Sequence, residues 1–121
     1  MMSRDVVITG YGLVSSAGEG IDGPLDVLRG RAEPRLDEST FAPYPVHPAG
    51  AIELDRQIPK KSDQRQMEPW QRLGVYAAGL ALDHAGAKDD AALKARMHLI
   101  VAAGGGERDY AVDGQILTRI R

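Results

Sequence analysis

Two glycines follow the first apolar segment at the spacing found in dinucleotide-binding loops. Gly10 and Gly12 come directly after residues 5–9, but Ser15 stands where the third glycine of G-x-G-x-x-G would be. No acidic residue ends a second strand about 20 positions later, and the loop lacks the lysine of a phosphate-binding P-loop. A nucleotide site is therefore the weaker interpretation. The simpler one is that these glycines let the chain turn sharply, with positive φ.

A glycine triplet at residues 104–106 follows another apolar segment. Its backbone N–H groups have the arrangement needed to cradle an anion at the start of a helix. Glu107 and Asp109 come directly afterwards and would repel that anion. We therefore expect the triplet to permit close backbone packing or to line an apolar pocket.

Residues that commonly act as nucleophiles or metal ligands are scarce and scattered. The chain has no Cys, so it has no thiolate nucleophile, no thiolate zinc site and no disulfide. Ser15 and Ser16 lack the G-x-S-x-G elbow and an identifiable base. His47, His84 and His98 are dispersed, and no pair has i, i+4 spacing. We predict no catalytic residue in this chain, no metal site, no cofactor, and a structural role for each histidine.

Charge and hydropathy exclude further classes of function. The net charge is −2 and the 15 basic residues are scattered, so we expect no nucleic-acid partner. No apolar run approaches the roughly 20 residues that span a bilayer, and no signal peptide is recognisable. These features predict a cytoplasmic protein without membrane association. Lys60 and Lys61 are interpreted as a solvated pair, or alternatively as part of a docking site for an acidic partner protein.

The order of apolar segments predicts an α/β architecture. Residues 31–50 carry several prolines that forbid a helix there. A first helix is expected to begin with Asp22 as its N-cap and to stop at Gly30. Strands are predicted at residues 5–9, 49–54 and 98–102, and further helices at 67–85, 89–96 and 110–121.

The first strand and the longest helix should lie in the interior. Val6, Val7 and Ile8 make residues 5–9 apolar on both faces, which is typical of a central strand in a covered sheet. The helix at 67–85 is apolar nearly all round between residues 74 and 82, which predicts burial, and Gly86 suits its C′ position. One face follows helical spacing, and small residues would admit another backbone. The face comprises Trp70, Leu73, Ala77, Leu80, Ala81 and His84, and the small residues are Gly74, Ala77, Ala78, Gly79 and Ala81.

Read together, four segments resemble the N-terminal part of the β-ketoacyl-acyl-carrier-protein synthases, the condensing enzymes of fatty acid and polyketide synthesis. Residues 6–15 are similar to that family's V-V-I-T-G-x-G-x-V-S start, and residues 49–52 to its A-G-x-I strand. Residues 66–86 resemble its R-M-D-R-F helix ending in A-L-x-D-A-G. Residues 99–106 resemble its V-I-V-G-[TS]-G-x-G strand and loop. The order and spacing agree over nearly the whole chain.

Six positions depart from the family's pattern and leave the acyl substrate open. Gln66, Glu68, Pro69 and Trp70 stand in place of Arg, Asp, Arg and Phe, and Ala102 and Ala103 in place of Gly and Thr/Ser.

The resemblance implies that residues 1–121 are a partial, N-terminal ketoacyl-synthase-like domain of the thiolase-like fold. The family's nucleophilic Cys and its two His residues would lie beyond this chain, so the chain alone is not competent as an acyltransferase. The helical pattern at 110–121 stops without a cap, and we expect the natural chain to continue past Arg121. The resemblance further implies that Gly105 lines the acyl pocket. An acyl carrier protein is the implied partner, and a homodimer or heterodimer the implied assembly.

Two other functions stay open at this stage. The chain could belong to a non-catalytic, chain-length-factor-like subunit that pairs with an active synthase. It could also be a small nucleotide-binding α/β protein. The residue at the nucleophile position separates the first alternative from a synthase, and titration with nicotinamide and adenine nucleotides tests the second.

Overall fold

The computed structural model of the chain describes residues 4–102 and 110–120. The two strands form an antiparallel hairpin in which Val14 pairs with Glu19. The helices account for most of the regular structure in these residues. The elements in chain order are β1 (Val14–Ser15), β2 (Gly18–Glu19), α1 (Asp22–Leu28), a 3-10 turn (Leu54–Arg56), α2 (Lys61–Gln66), α3 (Pro69–His84), α4 (Ala91–Lys94) and α5 (Tyr110–Ile120).

The long helix predicted at residues 67–85 is confirmed as α3. It begins with Pro69, because proline lacks the N–H that a first-turn residue leaves unpaired anyway. The side chain of Gln71 accepts a hydrogen bond from the Glu68 backbone N–H at 2.8 Å, which satisfies one donor at this end. Gly86 has a φ of 66°, as its predicted C′ position requires.

Helix α1 confirms one predicted boundary and corrects the other. Gly30 has a φ of 69° and follows the helix end, as expected. Asp22 is not the N-cap: it lies in the first turn, and Ile21 occupies the cap without a side-chain hydrogen bond. The reason is that the Ile21 carbonyl already accepts the N–H of Leu25 at 3.0 Å, so the helical hydrogen bonds begin one residue earlier.

The remaining helices are shorter than predicted or were not predicted. The helix expected at 89–96 is confirmed only over α4, where the Asp90 side chain accepts the Leu93 N–H at 2.8 Å as an N-cap. The helix expected at 110–121 is present as α5. Helix α2 was not predicted, because residues 61–66 are polar throughout and give no apolar periodicity.

The three predicted strands are not confirmed. Residues 5–9, 49–53 and 98–102 form no strand, and Leu54 opens the 3-10 turn instead. Ile8 is 90% exposed and Ile100 is 92% exposed, so neither apolar segment is covered within the part of the chain that the structure describes. A strand exists only when a neighbouring strand takes its backbone hydrogen bonds. The β-branched residues favour a strand, but they do not supply the neighbouring strand that it needs.

The interior is small and lies on one side of α3. The buried apolar residues among those described are Ile58, Tyr76 and Ala87. The prediction that residues 74–82 of α3 are buried is wrong for most of that stretch: Val75 is 42% exposed, and Tyr76 is the one residue of the stretch that is buried. Trp70, on the predicted apolar face of the helix, is 44% exposed. None of the described helices combines the length and apolar character needed to cross a membrane.

Candidate functional site

The glycine pair that suggested a nucleotide loop lies against α3. A Cβ atom added at Gly10 would be 2.6 Å from the Ala81 carbonyl oxygen and 2.8 Å from the Ala85 Cβ. A Cβ added at Gly12 would overlap the Ala77 carbonyl oxygen and lie 2.8 Å from the Ala81 nitrogen. The backbone of the N-terminal segment therefore touches the backbone of the helix, and the small-residue surface predicted for such an approach is confirmed.

This packing changes the interpretation of the two glycines. Neither Gly10 nor Gly12 has positive φ, so the predicted left-handed turn at these positions is wrong. Glycine is needed here because there is no room for a side chain. In a dinucleotide loop the same bare backbone must face the pyrophosphate. Here it faces Ala77, Ala81 and Ala85, which argues against a nucleotide site.

His84 contacts Tyr11, the residue between the two glycines. The backbone N–H of Tyr11 donates a hydrogen bond to Nδ1 of His84 at 3.1 Å. The two rings meet edge to face, with centroids 4.4 Å apart and planes at 83°. The structural role expected for His84 is thereby identified. Sequence periodicity placed His84 on the correct face of the helix but gave no sign of its partner.

A second cluster joins three parts of the chain around one carboxylate. The hydroxyl of Tyr76 in α3 donates to Oε2 of Glu19 in β2 at 2.7 Å. Arg56 in the 3-10 turn donates to both oxygens of the same carboxylate, at 3.0 and 3.1 Å. Burial and the neighbouring Glu19 raise the pKa of Tyr76, and the charge of Glu19 raises the pKa of Arg56. The tyrosine therefore stays neutral and serves as a donor, not as a base.

A third polar cluster closes the other end of α3. Gln57 donates to Oδ2 of Asp83 at 2.6 Å. Lys88 donates to Oε1 of Gln57 at 2.5 Å and to Asp83 at 3.2 Å. These hydrogen bonds, that of Gln57 above all, lower the pKa of Asp83. The three side chains bind one another and bring no further reactive group into the cluster, so its role is structural.

The lysine pair singled out from the sequence lies at the start of α2. Lys61 donates to Oδ1 of Asp55 at 2.5 Å, and this hydrogen bond holds the pKa of Asp55 below its usual value. Lys60 and Arg65 are exposed, and their side chains make no ion pair with the residues described here. The two lysines of the predicted pair therefore differ: Lys61 is in an ion pair within the chain, whereas the charge of Lys60 is exposed to solvent. The charge of Arg65, near the end of α2, is exposed as well.

The other chemistry-bearing side chains have ordinary structural surroundings. Ser15 Oγ accepts the Ala17 N–H at 3.2 Å inside the hairpin turn, and His47 Nδ1 lies 2.7 Å from the Arg35 carbonyl oxygen. His98 is exposed. Across residues 4–102 and 110–120, no three His, Asp or Glu side chains come together as a metal site would require. Gly105, the candidate acyl-pocket residue, lies outside the described residues, as does the rest of its triplet.

Two shallow grooves border α3, and the described side chains that line them bring no reactive groups together. The larger, about 420 Å³, lies between α2 and α3 and is lined by Asp63, Gln66, Met67, Gln71 and Val75. A carboxylate and two amides beside two apolar side chains lack the base-and-nucleophile pair of a hydrolytic or acyl-transfer site.

Comparison with known proteins gives one positive result. The family described as beta-ketoacyl synthase, N-terminal domain, matches residues 3–119 of the 121. No curated protein and no solved structure matched the chain. The family match covers every segment that carried the resemblance in the sequence.

Proposed function

Since this chain belongs to the β-ketoacyl synthase family, as its N-terminal domain, we propose that it is the N-terminal segment of a 3-oxoacyl-acyl-carrier-protein synthase. Such an enzyme condenses an acyl thioester with a malonyl group on a carrier protein, in fatty acid or polyketide synthesis. The observation that carries this proposal is the match over residues 3–119. Members of this family have a thiolase-like α/β fold. In this proposal the catalytic residues belong to a part of the protein outside residues 1–121.

The exposed apolar segments support the proposal that this chain is one part of a larger protein. Val6, Val7 and Ile8 are 97%, 72% and 90% exposed, and Leu99 is 80% exposed. Such segments are costly to leave in water and prone to pair with other strands. In the proposed complete protein, residues 5–9 and 98–102 become strands of a covered sheet. We further propose that the complete protein forms a dimer with a second synthase subunit. Its molecular mass in solution tests this assembly.

The chemistry of condensation gives the first test. An acyl-enzyme of this type requires a thiolate, and the chain has no Cys. Incubated with an acyl-carrier-protein thioester, the 121-residue chain is expected to gain no covalent acyl mass, whereas the complete protein gains one acyl group. A covalent adduct on the short chain would contradict the assignment. A complete protein that also remains unmodified would instead favour a chain-length-factor-like subunit.

The proposed substrate arrives on an acyl carrier protein, an acidic partner. Lys60 and Arg65 are the exposed, unneutralised basic side chains at α2, and they suit such a surface. In the complete protein, Lys60→Glu and Arg65→Glu are each expected to weaken carrier binding on the order of tenfold at low salt, and by less at high salt. Lys94→Glu makes the same charge change on α4 and serves as the control. Equal weakening by all three substitutions would show a general charge effect and no docking surface at α2.

Gly105 provides the test of substrate selection. A glycine has no side chain with which to limit an acyl tail, so we propose that the pocket in the complete enzyme accepts longer chains at this point. Gly105→Ile should selectively reduce activity with longer acyl substrates while short substrates and thermal stability are retained. General unfolding would show that the triplet only permits tight packing. Equal activity on all chain lengths would place Gly105 outside the pocket.

A further inference from the structure

The apolar pattern of residues 5–9, the segment before the glycine pair, does not fix its register against a neighbouring element. A strand with one apolar face is fixed in register, because a slip of one residue would turn that face to solvent. Val6, Val7 and Ile8 are all apolar and follow one another, so a slip exchanges one apolar residue for another. The hydrophobic pattern of residues 5–9 therefore cannot decide where along α3 the glycine pair that follows them lies.

The glycine pair matches the repeat of the helix beneath it. Gly10 lies over Ala81 and Ala85, and Gly12 over Ala77 and Ala81. Two residues of extended chain span about 6.6 Å, and one helical turn rises about 5.4 Å, so the glycines meet successive turns. A slip of one residue would bring Tyr11 against this alanine surface, where there is no room for a Cβ atom. Glycine removes the repulsion in one register but contributes little attraction.

We propose that His84 is a positioning residue that holds the N-terminal segment in this register on α3. The Tyr11 N–H donates to Nδ1 of His84 at 3.1 Å, and the two rings are in edge-to-face contact. Nδ1 must carry a lone pair to accept this bond, so the ring proton of the neutral imidazole lies on Nε2. His84 thus supplies the directional attraction that the glycines lack, and it fixes the position at which residues 5–9 end.

The acceptor can be separated from the ring by substitution. His84→Phe keeps an aromatic ring for the edge-to-face contact and removes the acceptor. His84→Asn removes the ring and places an amide oxygen close to the position of Nδ1. His84→Gln carries its amide oxygen one carbon further out. Since His84 is exposed, none of these changes leaves a cavity in the core.

The test is amide hydrogen exchange of Tyr11 in the full chain, measured by NMR. We expect His84→Phe to raise the exchange rate about fivefold, the factor that corresponds to one ordinary hydrogen bond, and His84→Asn to restore a rate near that of the parent. The Leu93 amide, which Asp90 caps in α4, is the internal control and should not change. An unchanged Tyr11 rate in His84→Phe, or equal rates in the Phe and Asn variants, would overturn the proposal. If His84→Phe fails to fold, the Asn and Gln variants decide: slower exchange in Asn supports the proposal, and equal exchange overturns it.

Discussion

Replacing Tyr76 by alanine is expected to lower the free energy of unfolding by about 3–5 kcal/mol, the range for truncating a large aromatic residue in a core. Tyr76 is 0% exposed and is the largest fully buried side chain among the described residues. Its ring fills the small interior beside α3, and its hydroxyl reaches the carboxylate that also binds Arg56. Urea denaturation followed by circular dichroism measures the loss, provided the slope of the transition is unchanged.

Two conservative variants separate the ring from the hydroxyl. Tyr76→Phe keeps the ring and removes only the hydrogen bond to Glu19, and we expect a cost of about 1 kcal/mol because Arg56 still satisfies that carboxylate. Tyr44 is 73% exposed, so Tyr44→Phe is the matched control and should change stability by less than about 0.5 kcal/mol. If Tyr76→Ala costs no more than Tyr44→Phe, the ring is not part of a core.

The elements that local rules determine were predicted well from the sequence. Helix α3 has regular apolar spacing, a proline that can only stand in the first turn, and a glycine at C′, and all three signals depend on residues close in the chain. Its length was therefore predicted to within two residues at its start and one at its end. Helix α2 was not predicted, because its six residues show no apolar periodicity. Its position nevertheless determines which of the two lysines forms an ion pair.

The elements that depend on distant partners could not be predicted in the same way. Continuous β-branched and apolar runs favour strands at residues 5–9 and 98–102, yet a strand needs a neighbour, and none of the described residues pairs with either segment. The carboxylate cluster illustrates the same limit. Tyr76 and Glu19 are 57 positions apart, and Arg56 and Glu19 are 37 apart. Nothing in the local pattern of any of the three residues indicates the others.

The glycine pair shows how a correct motif can carry a wrong explanation. The G-x-G spacing was recognised, but glycine serves two different physical purposes, positive φ and close approach. Sequence alone does not distinguish them. The alanines on α3 are the more useful signal, because another backbone can approach a helix surface that has no large side chains. Such a close approach requires glycine in the segment that packs on it. Combining the two observations would have paired the N-terminal segment with the helix.

Replacing Gly12 by alanine is therefore expected to destabilise the chain, by about 1–3 kcal/mol as for other overpacked contacts. The new Cβ would overlap the Ala77 carbonyl oxygen and lie 2.8 Å from both the Ala81 nitrogen and the Leu80 Cβ. Two of these three atoms belong to the hydrogen-bonded backbone of α3, which cannot move aside as a flexible side chain can.

Gly74 is the matched control, because the same substitution there should have the opposite sign. It lies within α3, and a Cβ added to it meets no atom within 4 Å. Gly74→Ala should raise the free energy of unfolding by up to about 1 kcal/mol, since alanine favours the helix. Urea midpoints of the two variants should thus move in opposite directions from the parent. A midpoint for Gly12→Ala that rises together with that of Gly74→Ala would show that the N-terminal segment does not lie on the helix in solution.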